Sequence, residues 1–471
     1  MSGRRLVSGA VVLQLALLAS PAAPQTVPGR SFLIAAAGDI IPHDMLVSKG
    51  DAYLPGYGWD FSPMMEEIEP WISDADLAIC HMEGTLSATN TGIAGYPRFV
   101  GPREMAAGIV SAGWDTCSTA NNHSLDAGWD GIVSTLDVLE ANGLGHTGTA
   151  RSPEERMPAI YEVAGVKVGH LSFTYGTNGI PAPRDRPWAV NVIDAESILA
   201  DASWARRQGA EFVIVSLHWG AENVVAPTSS QRSLAARLLE SPDVDLILGH
   251  HAHVVQPIER IGEKYVVYGM GNHLSNQNLR WGPQYFGTED GLLVRVRVSE
   301  KPDGRFVVDG IDITPTWVEF GTYRIFSAAD VVRSGAANRV AAAASFARTV
   351  ERAMGAGPEG VQVTPTPWPA VSCGSRRATI VGTPGDDLLT GTPDRDVIFG
   401  REGNDVIEGG EGNDLLCGGE GDDVLDGGPG RDILIGWTGD DALEGDEGDI
   451  LLGGVGHDTC SYLTPLRYCE P

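Results

Sequence analysis

Five stretches of the chain share one form: an apolar, strand-like run that ends abruptly in polar side chains. They are FLIAAAGDI with Asp39, DLAICHMEG with Glu83, DTCSTANNHSLD with Asn122 and His123, EFVIVSLHWGAE with His218, and DLILGHHAHV with His250, His251 and His253. Helical patterns run between them, as at 131–142 (GIVSTLDVLEAN) and 231–240 (QRSLAARLLE). Strands alternating with helices predict an α/β layer architecture. Unbroken apolar runs predict strands buried on both faces. In such sheets the ligand site lies beyond the strands' carboxyl ends. Asp39, Glu83, Asn122, His218, His251 and His253 are therefore expected to converge. Asn122, His218, His251 and His253 are expected at one edge of a single sheet. His251-Ala-His253 after a strand predicts two imidazoles on one side, because alternate residues of extended backbone project together. Neutral imidazoles and carboxylates suit Mn, Zn or Fe.

The pattern changes after residue 381. The chain then reads in lines of nine: GTPGDDLLT, GTPDRDVIF, GREGNDVIE, GGEGNDLLC, GGEGDDVLD, GGPGRDILI, GWTGDDALE, an eight-residue GDEGDILL, and GGVGHDTCS. The sixth place of every nine-residue line is aspartate: Asp387, Asp396, Asp405, Asp414, Asp423, Asp432, Asp441 and Asp458. The eighth place is aliphatic in the first seven lines. Glycine permits tight turns with φ > 0 that aim carbonyl oxygens at a common point. Aspartate supplies the hard anionic oxygen that Ca²⁺ takes. One line cannot bury its aliphatic residue alone, so stacking is obligatory. These lines resemble the RTX calcium-binding repeat, which implies an all-β roll with ions between stacked turns.

A chain of 471 residues suffices for two or three domains. Its net charge of −29 argues against nucleic acid or an anionic membrane surface as partner. Residues 371–471 carry −16 of that charge, as cation ligands would require. Arg4 and Arg5, the apolar run 6–19 and small residues up to Ala22 (Ser20 at the −3 position) read as a secretory signal. Cleavage would release the chain, and retention would leave an anchor. Six cysteines then belong in an oxidising compartment. Cys460 pairs with Cys469 and Cys373 with Cys417, while Cys80 and Cys117 are buried thiols or a bridge.

The N-terminal stretch is similar to the CapA (poly-γ-glutamate capsule synthesis) branch of the calcineurin-like metallophosphatases. The resemblance rests on GDI at 38–40, WDFS at 59–62, DLAI…E at 76–83 and ANNHSLDAG at 120–128. It continues through SLHWGAE at 216–222, LGHHAHVVQPIE at 248–259 and YGMGNHLSNQ at 268–277. It implies a sandwich of two β-sheets flanked by helices, with one or two divalent ions held by Asp39, Glu83, Asn122, His218, His251 and His253. Departures concern the first metal: Ile41 stands where the superfamily's Asp-x-His has histidine, and His81 where the branch has asparagine. Loss of that nitrogen ligand allows mononuclear binding, unless His43 reaches in. Tyr175, Asn178 and Gly179 serve a binding loop or a turn. Asn272, Asn276 and Gln277 meet a polar substrate or their own backbone. Trp59, Trp114 and Trp219 are assigned to the core. The expected layout is a signal at 1–22, the metallophosphatase-like domain at 30–356 closed by an Ala-rich helix at 329–354, a Pro/Gly linker at 357–372, and the roll at 373–471.

Two functions fit. In one, the ions activate water against a phosphoester or related anionic ester while His123 gives a proton to the leaving oxygen. In the other, the same centre binds an anionic surface polymer without catalysis. Either way the expected product is secreted or surface-associated and binds Ca²⁺ through its repeats.

Overall fold

In the computed structural model, residues 29–334, 336–355, 357–364, 372–373, 376–446 and 448–462 are described. The signal at 1–22 and Cys469 lie outside the described residues. Among the described residues no helix is long and apolar enough to cross a membrane.

Two sheets stack on one another in the N-terminal part. The path of the first, which has nine strands, runs Ile325–Ser327, Phe306–Val318, Asp290–Glu300, Ser31–Ile40, Leu77–Met82, Thr116–Ser118, Gly145–Thr147. Asn272–Leu274 and Val361–Val363 join it off this path. The second has six strands in the order Ile258–Ile261, Lys264–Val267, Leu246–His250, Phe212–His218, Val166–Thr174, Ala159–Val163. Phe32, Ile34 and Ala36 meet Phe212, Ile214, Leu246 and Leu248 in a core between the sheets. Their alternates Ala35, Ala37 and Ile40 face a second core built with Ile109 and Leu136 of helices Glu104–Ser111 and Gly128–Ala141. Both faces of the strand are therefore buried, which is why its sequence shows no alternation. Val213, Val215 and Leu217 likewise cluster with Ala202 and Leu238 of helices Ala195–Arg207 and Ser229–Glu240. Thr228 and Gln231 start the latter helix with a reciprocal capping box.

Parallel pairing aligns the strand ends. Asp39 is in register with His81, His81 with Ser118, and His250 with His218. Asn122 follows a strand of the first sheet, whereas His218 ends a strand of the second and His251 and His253 follow another of its strands. This corrects the expectation of a single sheet edge. Strands buried on both faces read alike in either sheet, so the apolar runs do not say which sheet they join.

Two further expectations change. The Ala-rich stretch forms two helices, Ala328–Arg333 and Arg339–Met354. Ser334 ends the first, turning its hydroxyl back to Val331 O at 2.9 Å, and such local bonds compete with helix continuation. Val361–Val363, expected within the linker, pairs in parallel with Ile311–Ile313 and extends the first sheet.

Cys80 and Cys117, register partners on adjacent strands, form a disulfide, as do Cys373 and Cys417. Cys460 is also disulfide-bonded.

The repeats form two five-stranded parallel sheets whose strands alternate along the chain. Ile398, Ile407, Leu416, Leu425, Leu434, Leu443 and Leu451 fill the space between them, all buried. Burying each such side chain is worth about 1.5–3 kcal/mol, and each depends on its neighbours above and below for cover.

Candidate metal centres

Asp39 sits near the end of Ser31–Ile40 with its side chain fully buried. Its Oδ2 accepts the His251 backbone N–H at 3.2 Å and lies 3.2 Å from His253 Nδ1. Oδ1 lies 3.1 Å from His250 Nδ1. Glu83, one residue past Leu77–Met82, is equally buried, yet neither of its carboxylate oxygens has a hydrogen-bond partner. His218 Nε2 and His253 Nε2 each lie 3.9 Å from Glu83 Oε1. His218 Nε2 is 2.9 Å from Asn122 Oδ1, and its Nδ1 is 2.9 Å from His81 Nε2. Donor atoms of Asp39, His81, Glu83 and His218 lie within 4.8 Å of one another, and so do those of Glu222, His251 and His253. The two groups meet at His253.

The electrostatics fit a bound cation. Burial pushes Glu83 well above the usual carboxylate range. Burial would raise Asp39 too, but hydrogen bonds from His250 and His253 hold it well below that range. Burial lowers His81 and His218, and brings His251 down to about 3, which keeps these imidazoles in the neutral form that a metal takes. His253 is the exception: burial opposes its charge, but Glu83 and Asp39 raise it to about 9. A buried carboxylate without donors is costly unless it is neutralised or coordinates an ion. The donor set of carboxylates, imidazoles and one amide carbonyl suits a divalent transition metal.

His251 and His253 reach this place by a different route from the one expected. Leu246–His250 ends before them, and both have positive φ, 87° and 55°. They stand in a turn, not in extended backbone. Left-handed conformation at two non-glycine residues is the kind of strain that clusters at functional sites. His253 Nδ1 is also 3.1 Å from Asn272 Oδ1, and Asn272 Nδ2 donates to Gln277 Oε1 at 3.1 Å, so the 272–277 loop buttresses the centre.

His43 does not join either ligand group. It is buried between the rings of Phe99 and Trp281, with Nδ1 3.4 Å from Ser275 Oγ. Ile41 is buried. His81 brings a nitrogen to the centre instead, and it, His250 and Glu222 are site residues that sequence reasoning left out. One signal pointed to His81: it stands two residues before Glu83, so an extended run through both would project them to the same side. Trp114 and Trp219 are buried, and Trp59 packs at the edge of a core, as expected.

His123 lies against the Phe99 ring, with Nδ1 2.6 Å from Asp126 Oδ2 and Nε2 3.4 Å from Asn178 Nδ2. Asp126 Oδ2 also accepts the Phe99 N–H at 2.6 Å, which fixes the carboxylate. Tyr175, 46% exposed, lays its ring against those of His218 and His251 and so borders the centre on the solvent side.

In the roll, the sixth-place aspartates build a ladder. Asp405 Oδ1 accepts the Asp387 N–H at 2.9 Å, and the same bond recurs from Asp396 to Asp414, Asp405 to Asp423, Asp414 to Asp432, Asp423 to Asp441 and Asp441 to Asp458. The eight-residue line supplies its own rung, Asp432 N–H to Asp449 Oδ1 at 2.7 Å, which the nine-residue count concealed. Oδ2 of Asp405, Asp414, Asp423, Asp432, Asp441 and Asp458 is buried and unpartnered. Around it the turn is bare: a Cβ at Gly400 would run into Asp405 Oδ2 and Gly418 O. Anionic oxygens facing carbonyl oxygens in a cradle free of side chains are what Ca²⁺ takes.

Burial, with neighbouring carboxylates adding to it, pushes Asp423 up to about 7 and Asp432 and Asp441 up to about 6. Without calcium the folded roll therefore binds more protons than the unfolded chain between roughly pH 4 and 7, and its stability falls as pH rises through that window. The calcium-free protein should show more roll structure by circular dichroism at pH 5 than at pH 8. A signal independent of pH would contradict this.

The bacterial capsule synthesis protein PGA_cap family matches residues 33–277, and the RTX calcium-binding nonapeptide repeat matches 381–416 and 418–449. The chain is 33% identical over 199 residues to the PGA biosynthesis protein CapA of Bacillus subtilis, covering 42% of this chain and 50% of that one. It is 26% identical over 215 residues to the capsule biosynthesis protein CapA of Bacillus anthracis, covering 45% and 50%. The chain thus spans about half the length of the curated relatives it matches. A solved calcineurin-like phosphoesterase of Bacillus subtilis overlaps with a TM-score of 0.37 at 15% identity, covering 61% of this chain and 91% of that one. The chain belongs to the bacterial capsule synthesis PGA_cap family and carries RTX calcium-binding repeats C-terminal to the matched region.

Proposed function

We propose that this chain is an exported, metal-dependent hydrolase of a phosphoester or related anionic ester in capsule or surface-polymer metabolism, with poly-γ-glutamate as the polymer class. The observation that carries the reading is Glu83, fully buried with both oxygens unpartnered and faced by two imidazoles. Asp39, His81, Glu83, Asn122, His218, His251 and His253 would hold one or two divalent ions. A bound ion supplies Lewis-acid polarisation of the ester and lowers the pKa of water.

The protein's own groups account for the proton. Asp126 accepts Nδ1–H of His123, fixes the ring and would stabilise the imidazolium whose Nε2–H passes to the leaving oxygen. Tyr175 bounds the opening beside the ligating imidazoles. The disulfides Cys80–Cys117 and Cys373–Cys417 and the bonded Cys460 fit an oxidising compartment outside the cytoplasm and support export. Ile41 favours a second reading, in which a depleted centre binds anionic polymer without turnover. Hydrolysis of phosphomonoesters and phosphodiesters by wild type and His123→Ala, with metal measured in both, separates the two.

A further inference from the structure

We infer that calcium is held by the turns of Asp405, Asp414, Asp423, Asp432 and Asp441, and that the turns of Asp387, Asp396 and Asp449 are closed by their own chain and hold none. The inference rests on the calcium reading of the repeats and divides carboxylates that the sequence presents as equivalent.

The division follows the second residue of each line. Thr383 donates both its backbone N–H, at 2.5 Å, and its hydroxyl, at 3.0 Å, to Asp387 Oδ2. Thr392 does the same to Asp396 Oδ2, at 2.6 and 2.8 Å. In the eight-residue line, Asp446 N–H donates to Asp449 Oδ2 at 2.6 Å. In these three turns the oxygen that would face an ion is already engaged. The five open turns differ in backbone. Their second residues are left-handed: Arg401 at φ 95°, Gly410 at 100°, Gly419 at 129°, Gly428 at 75° and Trp437 at 88°. That conformation carries the N–H away from the carboxylate, and no other donor replaces it, so Oδ2 of all five aspartates is buried and unpartnered.

Residue type explains the choice. A β-branched threonine is strongly disfavoured at positive φ, so it stays in the common region and its N–H and hydroxyl close on the carboxylate. Glycine opens the turn freely. Arg401 and Trp437 hold the same open form although side chains rarely do, and strain of that kind points to a function for the open form. Thr383 and Thr392 thus end the calcium ladder on its N-terminal side, and the one-residue deletion at 445–452 interrupts it on the other, beyond which Asp458 Oδ2 is again unpartnered.

The test counts calcium bound per full-length chain by equilibrium dialysis. Asp396→Asn should leave the count of the wild type unchanged, because asparagine Oδ1 still accepts from Thr392. Asp423→Asn should lower it by at least one. Thr392→Gly, which removes the hydroxyl and lets the turn open, should raise it by one. Equal losses in Asp396→Asn and Asp423→Asn would overturn the inference, as would an unchanged count in Thr392→Gly. A wild type that binds no calcium would instead sink the calcium reading itself.

Discussion

Replacing His123 by alanine should lower ester hydrolysis by about 10²–10⁴-fold, the usual worth of a positioned proton donor, while bound transition metal stays at the wild-type level. The second half of that expectation comes from placement. The ring of His123 is tied to Asp126 and Phe99, and it belongs to neither group of converging ligand atoms. Removing it leaves every candidate ligand in place. His251→Ala should behave differently, losing metal and activity together, because its neutral imidazole stands in the group with Glu222 and His253. Kinetics of both variants beside metal content check this. Loss of metal in His123→Ala would place that ring among the ligands, and full activity would remove it from the chemistry.

Stripping calcium should melt the roll and spare the sandwich. Once the ions go, the carboxylates of Asp405, Asp423 and Asp441 face one another in register with nothing between them but their shared backbone bonds. The interior they serve is one file of isoleucines and leucines, each covered by the next line of the repeat. Binding free energy here is folding free energy. Titrating calcium back should restore β-structure near about 10⁻⁴–10⁻³ M, the range of extracellular modules. The sandwich has its own buried cores and a Cys80–Cys117 bridge, so its thermal transition should not move. Circular dichroism and calorimetry with and without EGTA follow the two parts separately. An unchanged spectrum in EGTA would contradict the account of the repeats.

Much of this was legible in the residues themselves. Nine-residue periodicity specified the roll down to its interior aliphatics, because each position of a repeat has one physical job. Strand-end polar residues identified Asp39, Glu83, Asn122, His218, His251 and His253, which the fold does gather. What remained hidden lies in relations between strands. The runs ending at Asn122 and His218 look alike and join different sheets. His250 is brought to Asp39 only by the packing of those two sheets. His251 and His253 meet through left-handed turns that no periodicity encodes. The unequal aspartates of the roll needed the φ of a neighbouring residue, and a deletion of one residue masked Asp449.

The central claim is that Glu83 and its surrounding imidazoles hold a divalent transition metal. Its most direct test is the metal content of the full-length chain, stripped, reloaded with Mn²⁺ in excess calcium to fill the roll, and dialysed. Wild type should retain at least one manganese per chain, and Glu83→Gln, nearly isosteric but uncharged, should retain far less while keeping its calcium. Equal manganese in the two proteins, or none in the wild type, would contradict it.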